Sequence, residues 1–234
     1  MQMVLHPADT TDSNGPIWTL PGTPPEPEHS VWDEPGLSPE LSGTVPDSAV
    51  TWHRHFLAMS AATSTRMTWL VTICVALVAG PLAVPGAMMQ SVGGSGLLLL
   101  VLIGPTAEEV LKVALPAWIV ERRPWLYRSP AQILLCAVAA GVAFGVVENL
   151  IYLNVYIDKP TPQIVWWRWT VCLLLHASCS LIAGWGVVRT WREFQARQSL
   201  PQIALAAPAL TTAIVVHGLY NATALILETT HAIF

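Results

Sequence analysis

The sequence predicts an all-α fold: a polytopic bundle of about five transmembrane helices behind a disordered N-terminal tail. Three observations carry this. Of its 234 residues, 53% are hydrophobic and only 11% charged, with a mean hydropathy of +0.51. Such a composition belongs in a bilayer. Five apolar stretches, 67–89, 96–120, 131–157, 164–190 and 202–228, each suffice to cross about 30 Å of hydrocarbon at about 1.5 Å per residue. The alternating ten-residue patterns of a membrane barrel are absent, which leaves helices as the elements that satisfy their own backbone in lipid.

The tail comes first. Residues 1–50 contain nine prolines and almost no apolar periodicity. Such a segment buries too little surface to offset chain entropy. Residues 1–65 hold eight acids and one base, a net of −7, against +3 for the rest of the chain. Residues 1–55 are therefore expected to form a disordered, acidic, Pro-rich cytoplasmic tail, and 56–234 the membrane domain. The acidic start lacks the basic flank and apolar core of a signal peptide. No basic patch suggests nucleic acid. The four cysteines, Cys74, Cys136, Cys172 and Cys179, form no C-x-x-C pair and suit apolar packing.

The spans follow. Lys and Arg in the short connections set orientation. Arg54, Arg66, Arg122, Arg123, Arg128, Arg189, Arg192 and Arg197 fall on one side; Lys159 and Arg168 fall on the other. This predicts a multi-pass cell-membrane protein with its N-terminus cytoplasmic and its C-terminus outside. Trp166, Trp167 and Trp169 suit an outer aromatic belt, and Trp69, Trp118, Trp125 and Trp191 an inner one. Gly80-Pro81 and Pro85-Gly86 are expected to break the first span, and Gly104-Pro105 to open the second. Gly141 and Gly145 form a G-x-x-x-G suited to close helix packing.

Four spans each deliver an ionisable group to one depth. Glu108, Glu148, His176 and His217 all fall about 14–18 Å in from the outer helix ends. Buried charge at that depth is costly and marks function. Glu108 and Lys112 are spaced to pair, with Glu109 about 100° around the helix, so one of the two glutamates, Glu108 by preference, is expected to face the site. Phe144, Glu148 and Tyr152 share a stripe; His217 and Asn221 share another.

Two carboxylates and two imidazoles can activate water in two ways. Glu148, His176 and His217 could hold Zn2+, with Glu108 or Glu109 taking the water's proton. Without a metal, Glu108 and Glu148 could orient the water while His217 and Asn221 donate to the oxyanion. Both schemes hydrolyse a carbonyl compound such as a peptide bond. No G-x-S-x-G or H-E-x-x-H occurs. A non-catalytic scaffold and a proton or metal-ion transporter are the competing readings, though no internal repeat is evident.

"EEVLK" (Glu108–Lys112), "FGVVENLIY" (Phe144–Tyr152), "HASCSLIAG" (His176–Gly184) and "HGLYN" (His217–Asn221) resemble, in order, the motif series of the PrsW family of intramembrane proteases. That family is similar to the CAAX-processing and bacteriocin-immunity protease group. The resemblance implies a glutamate-dependent peptidase inside the membrane, with or without a metal. It implies Glu108, Glu109, Glu148, His176, His217 and Asn221 as the site, with Lys112, Phe144 and Asn149 supporting. It also implies a transmembrane protein substrate, anti-sigma-factor-like or another single-span protein.

Overall fold

The structure, a computed structural model, describes residues 51–92, 96–197 and 199–230. Of the tail expected over residues 1–55, residues 1–50 lie outside them. Every described element is helical. α1 (Trp52–Ala62) begins inside the last residues assigned to the tail, and the Thr51 hydroxyl caps it by accepting from the Arg54 N–H at 3.3 Å. Trp52 and His55 bury against Trp125, and Phe56 meets Phe194 edge-on. The Arg128 guanidinium donates to the Ser60 and Thr63 carbonyls, which satisfies the chain end of α1.

α2 (Thr65–Val92) is continuous. The expected breaks at Pro81 and Pro85 do not end it; both prolines lie inside the helix. Membrane helices tolerate proline where neighbours cover the freed backbone. At Gly80 the backbone meets α4 so closely that a Cβ would strike the Ala143 side chain. α3 (Gly104–Arg122) is the polar second span, and a π-helical turn, Leu99–Ile103, leads into it. Pro105 explains that turn: it has no N–H for the Val101 carbonyl, so the regular ladder cannot extend backwards.

α4 (Pro130–Ile151) starts where the Gln132 side chain accepts from the Arg128 and Ser129 N–H groups, and it ends in a second π-helical turn, Tyr152–Tyr156. α5 (Pro162–Trp167) runs through a third, Arg168–Cys172, into α6 (Leu173–Arg197). A 3-10 turn, Ile203–Ala206, opens α7 (Ala207–Thr229).

Four of these helices are long and apolar enough to cross a membrane: Thr65–Leu82, Pro130–Tyr156, Pro162–Arg197 and Ile203–Thr229. The fifth expected span, around α3, is helical too, but its charges set it apart in composition. It is enclosed instead: α3 contacts α2, α4, α6 and α7. Small residues let the helices close up. Ala79, Ala137, Ala140, Ala183 and Ala213 are buried, while Leu77, Val155, Leu174 and Leu219 face outward. Gly141 and Gly145 pack on α6; a Cβ at Gly141 would lie 2.6 Å from the His176 carbonyl, and one at Gly145 3.0 Å from the His176 ring. That pair therefore brings His176 against α4. Two of the expected belt tryptophans are core residues: Trp125 and Trp191 are buried, and Trp191 donates to the Pro124 carbonyl.

Candidate active site

Five polar groups converge between α3, α4, α6 and α7. Lys112 is completely buried, with Nζ 2.8 Å from Glu109 Oε1, 3.7 Å from Glu108 Oε2 and 3.1 Å from His176 Nδ1. The Phe144 ring lies 4.2 Å from the same ammonium, and its edge meets His176. His217 completes the ring. Its Nδ1 is 2.8 Å from Glu109 Oε1, its Nε2 is 3.7 Å from Glu108 Oε2, and its ring sits edge-on to His176 with centroids 5.0 Å apart.

The two glutamates were expected to diverge, with only one facing the site. Both reach it. They flank Lys112 and His217 from adjacent positions because a glutamate side chain is long enough to bend back around the helix. Lys112 is also closer to Glu109, its i−3 neighbour, than to the expected partner Glu108. Glu109 Oε1 takes both Lys112 and His217, while Glu109 Oε2 has no hydrogen-bond partner among the described residues.

Glu148 stands on the far side of His176, with Oε2 2.9 Å from His176 Nε2 and 2.9 Å from Arg168 Nη2. The expected set of Glu148, His176 and His217 is not the group that donor-atom spacing picks out. The groups whose donor atoms all lie within 4.8 Å of one another are Glu108, His176 and His217. Glu148 lies outside that group, engaged by Arg168 and by the outer nitrogen of His176. Asn149 accepts from Arg168 Nε at 3.0 Å and donates to the Arg168 carbonyl at 2.7 Å. Asn221, expected to serve an oxyanion, donates its amide to the Leu100 carbonyl at 3.0 Å.

The HGLYN motif now has a physical account. His217 meets the two glutamates. Gly218 lies where any Cβ would collide with the Val101 carbonyl, so α7 can press onto the π-helical turn. Tyr220 accepts from Trp167 Nε1 at 2.8 Å and contacts Cys172 Sγ at 2.7 Å. Asn221 takes up the Leu100 carbonyl of that turn.

A cavity of about 340 Å³ reaches this constellation from one end of the bundle. His176, His217, Glu148 and Asn221 lie along it, with Tyr152, Trp167, Arg168 and Tyr220 as its polar and aromatic lining. All three π-helical turns supply lining residues: Leu100, Tyr152 with Tyr156, and Arg168 with Cys172. Such turns re-aim side chains and recur at functional sites. Arg168 is the site residue that sequence reasoning missed. It reads as a loop base at the head of a span, and only its packing onto Glu148 and onto the Tyr152 ring, 3.9 Å away, places it inside.

The model of the PrsW family of intramembrane metalloproteases matches residues 54–234, most of the chain. The chain belongs to the PrsW family. It is thus a multi-pass intramembrane protease whose substrate is a membrane protein. No curated protein and no solved structure matches it.

The donors of this PrsW protein fit the metal that the family name implies. A carboxylate and two imidazoles, all buried, are the oxygen and nitrogen donors that zinc takes. Three carboxylates, Glu108, Glu109 and Glu148, gather here around Lys112, Arg168 and the two imidazoles, an acidic setting that suits a bound cation.

Proposed function

We propose that this PrsW protease hydrolyses a peptide bond of a membrane-anchored protein with a water activated between Glu108, Glu109, His176 and His217. The observation that carries the reading is the convergence of those four side chains, from three helices, beside a cavity that His176 and His217 line. Glu108, His176 and His217 are the residues that would hold the metal, Zn2+ by donor type. When bound, it supplies a Lewis acid that lowers the pKa of water and polarises the scissile carbonyl.

The chain's own residues do the rest. A locally extended substrate segment enters the cavity and brings its carbonyl to His176 and His217. Glu109 is fixed through Oε1 by Lys112 and His217, so its Oε2 is held ready to take a proton from water. The water oxygen bonds to the carbonyl carbon. The proton passes through Glu109 to the amide nitrogen as the C–N bond breaks, giving a new carboxyl group and a new amine. Lys112 limits the repulsion between the two carboxylates, and Glu148 holds the His176 ring through its outer nitrogen. Phe144 packs beneath both cationic and imidazole partners.

The substrate in this reading is a single-span protein, an anti-sigma factor being the kind the family resemblance suggests. The basic connections favour a cytoplasmic N-terminus with residues 1–55 as its acidic tail, which puts the cavity toward the outer face. A tagged single-span anti-sigma factor, reconstituted with the purified chain in H2¹⁸O, tests the chemistry. Hydrolysis places ¹⁸O in the new C-terminal carboxyl group. An intact reporter, or cleavage without label, contradicts the proposal.

A further inference from the structure

Arg168 has no part in the steps above, yet it is built into the site as firmly as any residue there. Its Nη2 meets Glu148 Oε2 at 2.9 Å and its Nε donates to Asn149 Oδ1 at 3.0 Å. Its guanidinium lies over the Tyr152 ring at 3.9 Å, and its carbonyl accepts from Asn149 Nδ2 at 2.7 Å. Asn149 thus grips both the side chain and the main chain of the same arginine. Planar, forked guanidinium groups suit such stacked, multiply bonded sites.

The backbone is shaped for this contact. Arg168 and His176 are eight residues apart, which in a regular α-helix sets them about 80° around the axis. The π-helical turn Arg168–Cys172 takes in one additional residue, which brings the pair to within about 20° and onto one face. Both then reach the same atom of the neighbouring helix: Glu148 Oε2 is 2.9 Å from Arg168 and 2.9 Å from His176 Nε2. On the other side of the ring, His176 Nδ1 faces Lys112 Nζ at 3.1 Å. An ammonium only donates, so Nδ1 accepts and Nε2–H donates to Glu148.

We propose that Arg168 is a positioning residue of the protease: by anchoring Glu148 it fixes the His176 ring in one tautomer and one orientation, with Nδ1 turned toward Lys112. The inference rests on the peptidase reading for its consequence in catalysis, but the orientation of His176 can be measured without any substrate. Outer partners of this kind, when removed, cost about 10- to 100-fold in activity or metal affinity.

The test uses the full chain in nanodiscs, labelled with ¹⁵N-histidine, as wild type, Arg168→Met and Arg168→Lys. The His176 resonance is assigned by its loss in His176→Gln. The wild type should show a single Nε2–H signal, Arg168→Met should lose it to exchange or to a second tautomer, and Arg168→Lys should retain it in part. On the anti-sigma-factor reporter, Arg168→Met should lower kcat by about 10- to 100-fold with KM unchanged, and Arg168→Lys should recover part of kcat. An unchanged His176 signal in Arg168→Met overturns the proposal. So does a raised KM with kcat intact, which would make Arg168 a substrate contact. Should Arg168→Met fail to fold, Asn149→Ala removes the grip on Arg168 and must produce the same changes to a smaller degree; a wild-type His176 signal there overturns the proposal equally. A wild type that cleaves no reporter removes the peptidase reading alone, and the His176 signal then decides the role of Arg168.

Discussion

His217 Nδ1 lies 2.8 Å from Glu109 Oε1, a bond that ties α7 to α3 across 108 residues of sequence. The same oxygen receives Lys112 Nζ at 2.8 Å. One carboxylate oxygen is therefore fully committed, and the proposed proton transfer falls to the other. Glu109→Gln should retain bound metal and lose cleavage. Glu108→Gln should lose both, because Glu108 belongs to the donor set. Metal content of the purified variants beside reporter cleavage checks this; equal metal loss in the two would remove the division of labour.

Lys112 is the cation that makes two adjacent buried carboxylates tolerable. Removing one partner of a buried ion pair costs about 3–5 kcal/mol. Lys112→Met should destabilise the bundle on that scale, seen as a large drop in the thermal unfolding midpoint in detergent. The triple change Lys112→Met, Glu108→Gln, Glu109→Gln should recover much of the loss, since no charge is then stranded.

Glu148 is expected to tune the metal site without belonging to it. Glu148→Gln should weaken zinc or cobalt binding by about 10- to 100-fold, whereas His217→Ala should abolish it. Titration of the metal-stripped protein measures both. A complete loss in Glu148→Gln would restore the set of Glu148, His176 and His217.

Gly218 meets the Val101 carbonyl at a distance that no side chain can share. Gly218→Ala should push α7 from the π-helical turn, lengthen the contact of His217 with both glutamates and lower activity more than Asn221→Ala. The latter removes one hydrogen bond to the Leu100 carbonyl, worth about 0.5–1.5 kcal/mol. Unfolding midpoints and cleavage rates of the two variants compare them.

Much of this was legible in the chain itself. The 3.6-residue spacing of Glu108 and Lys112, of Phe144 and Glu148, and of His217 and Asn221 reports one helix face at a time, and depth counted along each span brings four faces together. What spacing cannot report is how far a side chain bends or where the helical register slips. Glu109 escaped the regular 100° step by its own reach. Arg168 escaped it through a π-helical turn, which no local residue pattern announces. The irregularity suggested by Gly104-Pro105 lies just before α3, where Pro105 has no N–H for the Val101 carbonyl. Pro81 and Pro85 carry the same chemistry, yet α2 runs on, so the consequence of a proline depends on what packs around it.

The central claim is that Glu108 and His217 belong to one water-activating site inside the membrane. The direct test is cleavage of the reconstituted single-span anti-sigma factor by the purified protein, with wild type, Glu108→Gln and His217→Ala compared, each with and without chelator. Wild type alone should cleave, with activity lost on adding chelator and regained on adding Zn2+. Equal cleavage by all three proteins would contradict the claim.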